Sequence, residues 1–122
     1  MYYAPNKNGK FPEIFEVGIE YGSHGFIAPS QDFMLIDALK DNDKTKDKDI
    51  HVCFKKKDGS WTKPINLGSA VNSKFNETCP SITPDGKYLF FSRYNEEGGI
   101  PNIYWVSAEV LNRLKSDYLK NN

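Results

Sequence analysis

One order of short apolar runs and turns passes along this chain more than once. That repeat limits the folds open to it more than any other feature. The octet Phe11-Pro12-Glu13-Ile14-Phe15-Glu16-Val17-Gly18 returns 50 positions later as Trp61-Thr62-Lys63-Pro64-Ile65-Asn66-Leu67-Gly68. A turn precedes each copy, Asn8-Gly9-Lys10 and Asp58-Gly59-Ser60. Ile27-Ala28-Pro29, followed by Phe33-Met34-Leu35-Ile36, returns 55 positions on as Ile82-Thr83-Pro84 followed by Tyr88-Leu89-Phe90-Phe91. Asp49-Ile50-His51-Val52 returns 53 positions on as Asn102-Ile103-Tyr104-Trp105. The spacings differ and the order holds, so the variation falls in the connecting loops.

A period of about 40–55 residues made of short strands is the signature of propeller blades. Pro84-Asp85-Gly86-Lys87 supplies a hairpin turn: Pro presets φ, Asp bonds its own backbone, and Gly takes the positive φ. Asn8-Gly9 and Asp58-Gly59 play the same part in another hairpin. The run Tyr88-Leu89-Phe90-Phe91-Ser92 is continuously apolar, the pattern of a strand covered on both faces. Four strands are expected per unit: Phe26–Ala28 or Pro80–Thr83, Phe33–Ala38 or Tyr88–Arg93, Asp49–Phe54 or Asn102–Ser107, and Trp61–Leu67 or Phe11–Val17. Met1–Ala4 falls at the third strand of a preceding unit. Residues 108–119 change pattern. Val110, Leu111 and Leu114 share a helical face and Ser107 can cap it, which predicts a short helix with a frayed tail at Lys120-Asn121-Asn122. The expected fold class is all-β, with two to two-and-a-half four-stranded antiparallel blades and a C-terminal helix. The divisions fall at 1–18, 19–68, 69–107 and 108–119.

Composition narrows the functions. The 16 basic and 16 acidic residues leave a net charge of zero, which argues against nucleic acid as a partner, since phosphate binding draws on a surplus of Lys and Arg. Apolar runs reach about four residues where a spanning helix needs roughly 20, so no membrane span is expected. The N-terminus carries no secretory pattern. Aromatic residues make up 14%, enough for an ordered, strand-rich structure. Cys53 and Cys79 are too few for a disulfide scaffold and are expected as small apolar residues on strands.

Cys79-Pro80-Ser81-Ile82-Thr83-Pro84-Asp85-Gly86-Lys87-Tyr88-Leu89-Phe90-Phe91-Ser92 and Asn102-Ile103-Tyr104-Trp105-Val106 resemble the TolB-like, WD-like β-propeller repeat. So does Lys57-Asp58-Gly59-Ser60-Trp61-Thr62-Lys63-Pro64-Ile65-Asn66-Leu67-Gly68. The resemblance runs to about Leu114. It implies a bacterial, periplasmic or exported protein that binds or scaffolds. The first full unit departs from the pattern, with Ser30-Gln31-Asp32 at the place of Asp-Gly-Lys, and a wider turn is expected there.

The chemistry-bearing candidates are few. Asp41-Asn42-Asp43-Lys44-Thr45-Lys46-Asp47-Lys48-Asp49 lacks the Gly and Glu of a calcium loop and is expected as a solvated loop. Lys57-Asp58-Gly59-Ser60-Trp61 has the wrong spacing for a sialidase box. Glu77 and Asp85 stand at opposite ends of a strand, a poor pair for glycoside hydrolysis. His51 is expected to pack on its strand. Neither histidine has Cys/His spacing around it, so no metal is expected, and no cofactor. Asn72, Asn76, Glu77, Arg93, Tyr94 and His24 fall on or beside the loops that form one rim of a propeller and are the candidate ligand contacts. Trp61 and Trp105 are expected between blades.

Two function classes follow. The first is a non-enzymatic binding or scaffolding propeller module, expected to be the C-terminal part of a larger cell-envelope protein. Its partners would be a protein or envelope component and the remaining blades. The second is the propeller portion of a hydrolase, either glycosidase-like or a peptidase's gating domain. The first needs no catalytic constellation. A closed propeller takes about 4–8 blades, so the repeats here are expected to be completed by further blades or by further copies.

Overall fold

The computed structural model describes residues 2–16, 22–39, 47–95 and 99–121. Among them the fold is mostly β, with three antiparallel sheets and one helix. The first sheet pairs β1 (Tyr2–Tyr3) with β2 (Phe15–Glu16). The second runs β3 (Gly25–Ile27), β4 (Phe33–Leu39), β5 (Lys48–Phe54), β6 (Ile65–Asn66), each strand beside the next in sequence. The third runs β7 (Asn76–Ile82), β8 (Tyr88–Tyr94), β9 (Pro101–Ser107). Helix α1 spans Glu109–Asn121.

The repeat is visible in the hydrogen-bond register. Phe33↔Phe54, Leu35↔Val52 and Leu39↔Lys48 on β4 and β5 correspond to Tyr88↔Ser107, Phe90↔Trp105 and Tyr94↔Pro101 on β8 and β9. Ile27↔Met34 corresponds to Ile82↔Leu89. The two hairpin turns coincide as well. Gly86 N donates to Thr83 O and Gln31 N donates to Ala28 O, both at 2.8 Å. The turn at Ser30-Gln31-Asp32 is therefore no wider than its partner. Gln31 takes the left-handed conformation itself (φ 59°) where the other unit has Gly86 (φ 75°).

Sheets two and three pack face to face. Leu35, Ile50, Val52 and Phe54 from one meet Leu89 and Phe91 from the other, with Leu67 and Val71 between the sheets in sequence. The opposite face of sheet two is also buried, through Met34, Ile36, Ala38 and Cys53, with Trp61 against it. That is why β4 and β5 are apolar at successive positions. β8 differs: Leu89 and Phe91 are buried, while Tyr88 is exposed. Its far face is uncovered, contrary to the expectation from its apolar run. Trp105, expected between sheets, is 61% exposed and meets Tyr88 edge-on at 5.2 Å.

Helix α1 closes one end of this core. Ser107 Oγ accepts from Glu109 N at 3.3 Å, as a cap does. Val110 and Leu111 are buried, and Leu114 and Tyr118 pack beside them. Tyr118 stacks on Phe54 at 5.9 Å, and Lys115 Nζ donates to Asp32 Oδ2 at 2.8 Å. The helix reaches Asn121, past the expected division at 119, because Tyr118 anchors its last turns.

The outer strands are shorter than expected. β6 covers only Ile65–Asn66, and Trp61 joins Lys55 through a single bridge. Pro64 and Pro12 precede β6 and β2 and have no N–H for a ladder. Strand β7 starts at Asn76, earlier than the expected Pro80, and carries a bulge between Thr78 and Ser81.

Candidate functional site

The edge strands β3 and β7 come together at one end of the sheet pair, and the polar groups that meet there are held by Asp37. This aspartate lies on β4, fully buried, on the face that looks toward sheet three. Its Oδ1 accepts from Ser23 N and His24 N, both at 3.0 Å. Its Oδ2 accepts from Cys79 N at 3.1 Å and lies 2.7 Å from His24 Nδ1. Lys48 Nζ lies 3.9 Å from Oδ1 and also contacts Ser23 Oγ. Burial pushes the Asp37 carboxyl up, but the Cys79 N–H, the His24 ring and the N–H groups of His24 and Ser23 outweigh it. They hold it below the ordinary carboxylate value.

The bulge on β7 explains how Cys79 reaches this point. Pro80 cannot donate to the ladder, and Cys79 takes the left-handed conformation (φ 54°), which is uncommon for a residue other than Gly, Asn or Asp. That turns the Cys79 N–H away from β8 and onto Asp37. Its thiol is free and exposed, and Cys53 is free and buried. Burial pushes the Cys53 thiol up to about 12, so it is an inert apolar residue. One donor atom each from His24, Asp37 and Cys79 lie within 4.8 Å of one another. These three residues could hold a metal ion.

Of the candidates named from sequence, His24 is part of this cluster. Glu77 and Arg93 are joined to each other: Arg93 Nε donates to Glu77 Oε1 at 2.8 Å, and Ser73 Oγ contacts the same oxygen. The Arg93 guanidinium also donates to Val71 O at 2.9 Å and lies over the Tyr104 ring at 4.5 Å. Asn72 bonds both backbone groups of Ile50, and Asn76 Oδ1 accepts from Lys48 N. Both asparagines thus tie the segments before and at the start of β7 to β5. Tyr94 is exposed at the end of β8.

The motif residues keep to their turns. Asp85 accepts from Thr83 Oγ1 and Lys87 N, and Pro84 and Gly86 complete that turn. Asp58 accepts from Ser60 N and Oγ beside Gly59 (φ 86°). Trp61 lies beneath Lys55 Nζ, 5.8 Å from its centroid. His51 is buried, its Nδ1 3.0 Å from Asp49 O. Most of the Asp41–Asp49 segment expected as a solvated loop, positions 41–46, and the loop positions 17–21 and 96–98 lie outside the described residues.

Asp37 is not named from sequence, and Cys79, expected as a small apolar strand residue, has an exposed thiol. They lie 13 and 42 positions from their contacts, His24 to Asp37 and Asp37 to Cys79. Only the Cys-Pro pair at the start of the repeat motif hints at a bulge there. Comparison of the chain with family models, with curated proteins and with solved structures finds no match.

Proposed function

We propose that the sheets are consecutive blades of a TolB-like β-propeller and that the protein is a non-enzymatic binding or scaffolding module. One observation carries this reading. Ile50 and Val52 on β5 are 0% exposed under sheet three, while their repeat partners on β9, Ile103 and Trp105, are 67% and 61% exposed. The same register positions that seat one sheet on the next are thus presented, uncovered, on the last sheet. Tyr88, the partner of Phe33, is exposed on the same face. An apolar sheet face of this kind marks an interaction surface, and the occupant that fits is another sheet of the same repeat. Among the described residues no fourth strand pairs with β9 as β6 does with β5, which presents an open edge for pairing.

In this arrangement β3 and β7 line the inside of the ring, and the cluster around Asp37 faces the ring's axis. The module then meets a protein or cell-envelope partner through the loops at that end. The buried Glu77–Arg93 pair and the structural asparagines leave the loops, rather than a catalytic pair, as its working surface.

The test is the accessibility of Trp105 in the protein as expressed, in a Trp61→Phe background so that one tryptophan reports. Shielding of Trp105 from a neutral collisional quencher, lost together with any higher solution mass on Ile103→Glu substitution, supports the reading. A freely quenched Trp105 with a monomeric mass overturns it.

A further inference from the structure

We propose that His24, Asp37 and Cys79 form a binding site for a zinc ion, with His24 Nδ1, Asp37 Oδ2 and Cys79 Sγ as ligands. The site uses β4, the start of β3 and the bulge of β7, and does not depend on how the sheets continue into a larger assembly.

The donor set points to the metal. One thiolate, one imidazole and one carboxylate suit zinc, a borderline-soft ion, whereas calcium and magnesium take oxygen ligands. Zinc bonds of about 2.0–2.3 Å place tetrahedral donors about 3.3–3.7 Å apart. The three donors here lie within 4.8 Å of one another: the exposed Cys79 side chain has little distance to close, and His24 Nδ1, 2.7 Å from Asp37 Oδ2, draws back by about half an ångström. The carboxylate is the fixed member. Asp37 is fully buried, and N–H groups from Ser23, His24 and Cys79 hold it from both sides. Outer-shell donors of this kind orient a metal-binding carboxylate.

The hydrogen bond between His24 Nδ1 and Asp37 Oδ2, 2.7 Å long, marks where the ion goes. Both atoms can ligate zinc, and the ion enters between them. Ligation takes an Nδ1 without a proton from His24 and a thiolate from Cys79, and any proton these groups carry passes to solvent. Binding is therefore accompanied by proton release. The thiolate and the Asp37 carboxylate balance the two charges of zinc. Lys48 is the cation that opposes it, and its Nζ faces Oδ1 at 3.9 Å, not the oxygen that ligates. With three protein ligands the fourth tetrahedral position stays open to solvent, the arrangement of a zinc that can take a water or an exchangeable ligand.

Titration of the purified protein with Zn²⁺ and, as a spectroscopic probe, Co²⁺ tests this. One equivalent of Zn²⁺ is expected to bind with release of protons, and Co²⁺ to give a thiolate charge-transfer band. Zn²⁺ is also expected to raise the melting temperature and to protect Cys79 from alkylation. Cys79→Ser and His24→Ala should each weaken binding at least tenfold, the scale of a lost ligand or ligand support. Cys53→Ala should leave it unchanged. Absence of stoichiometric Zn²⁺ uptake at tens of micromolar overturns the proposal. So does a loss in Cys79→Ser with none in His24→Ala, the result of a bare thiol binding metal alone. If either variant melts without metal at a much lower temperature, alkylation protection and proton release in the unmodified protein decide between the outcomes.

Discussion

Glu77 and Arg93 are register partners on β7 and β8, and Arg93 Nε bonds Glu77 Oε1 at 2.8 Å with the carboxylate fully buried. The pair joins two strands of sheet three beside its packed face, with the guanidinium stacked over Tyr104. Removing one partner strands a charge in the interior. Glu77→Ala is expected to destabilise by about 3–5 kcal/mol, measured by urea unfolding. Adding Arg93→Ala should recover part of that loss, because the stranded charge is then gone. A double variant whose loss equals the sum of the singles would show that the two side chains do not interact.

Asp37 sets an acid limit on stability. Its folded pKa lies below the unfolded value, so the folded state binds fewer protons. The stabilisation is present above the unfolded carboxylate range of about 4 and is lost as pH falls through the folded value. Asp37→Asn should cost about 3 kcal/mol or more at pH 7, since several N–H donors lose a charged acceptor. It should also flatten the fall in stability below about pH 4. Denaturant titrations at stepped pH read both effects, and an unchanged acid slope in the variant would sink the assignment.

The two hairpin turns offer a test in opposite directions. Gln31 (φ 59°) and Gly86 (φ 75°) occupy one turn position. A Cβ at Gly86 would have no heavy atom within 4 Å, so the effect there is conformational and not steric crowding. Gly86→Gln and Gly86→Val should destabilise by about 1 kcal/mol or more. Gln31→Gly should be stabilising, by up to about 1 kcal/mol. Thermal melts of the three variants check the signs.

Helix α1 contributes through its apolar face more than through its ion pair. Leu111→Ala should cost about 2–5 kcal/mol, the range for a buried Leu. Lys115→Ala should cost less than about 1 kcal/mol, because Lys115 and Asp32 are each 44% exposed at the side chain. Equal losses in the two variants would mean that the pair, and not the apolar face, holds the helix.

The long strands were legible in the sequence because turn chemistry and apolar runs mark them together: Pro84-Asp85-Gly86 before β8, and the Asn-Ile-Tyr-Trp run of β9. The first full turn was harder, since Gln31 gives no sign of a left-handed residue, yet the ladder around it matches that of its partner. The short outer strands were overestimated because Pro12 and Pro64 remove ladder donors just where the apolar pattern is strongest. The repeat puts Trp105 between sheets, and periodicity cannot say whether a neighbouring sheet is there to cover it. The candidate site was half visible. His24 stood out as a rare residue near a loop, but Asp37 and Cys79 join it only through a bulge, which depends on tertiary contacts.

Helix α1 reaches back to sheet two, and the Lys115–Asp32 contact spans 83 positions. Tyr118 on Phe54 closes the same circuit. A contact of that sequence separation forms late, because the intervening chain must be ordered first. On the ribosome, β4 and β5 are made well before the helix that seals their end of the core. Phe54 therefore stays uncovered until residue 118 has emerged and the helix can dock. The same helix that stabilises the finished molecule leaves that end of the core open until it docks, and that interval is when holdase chaperones have access to it.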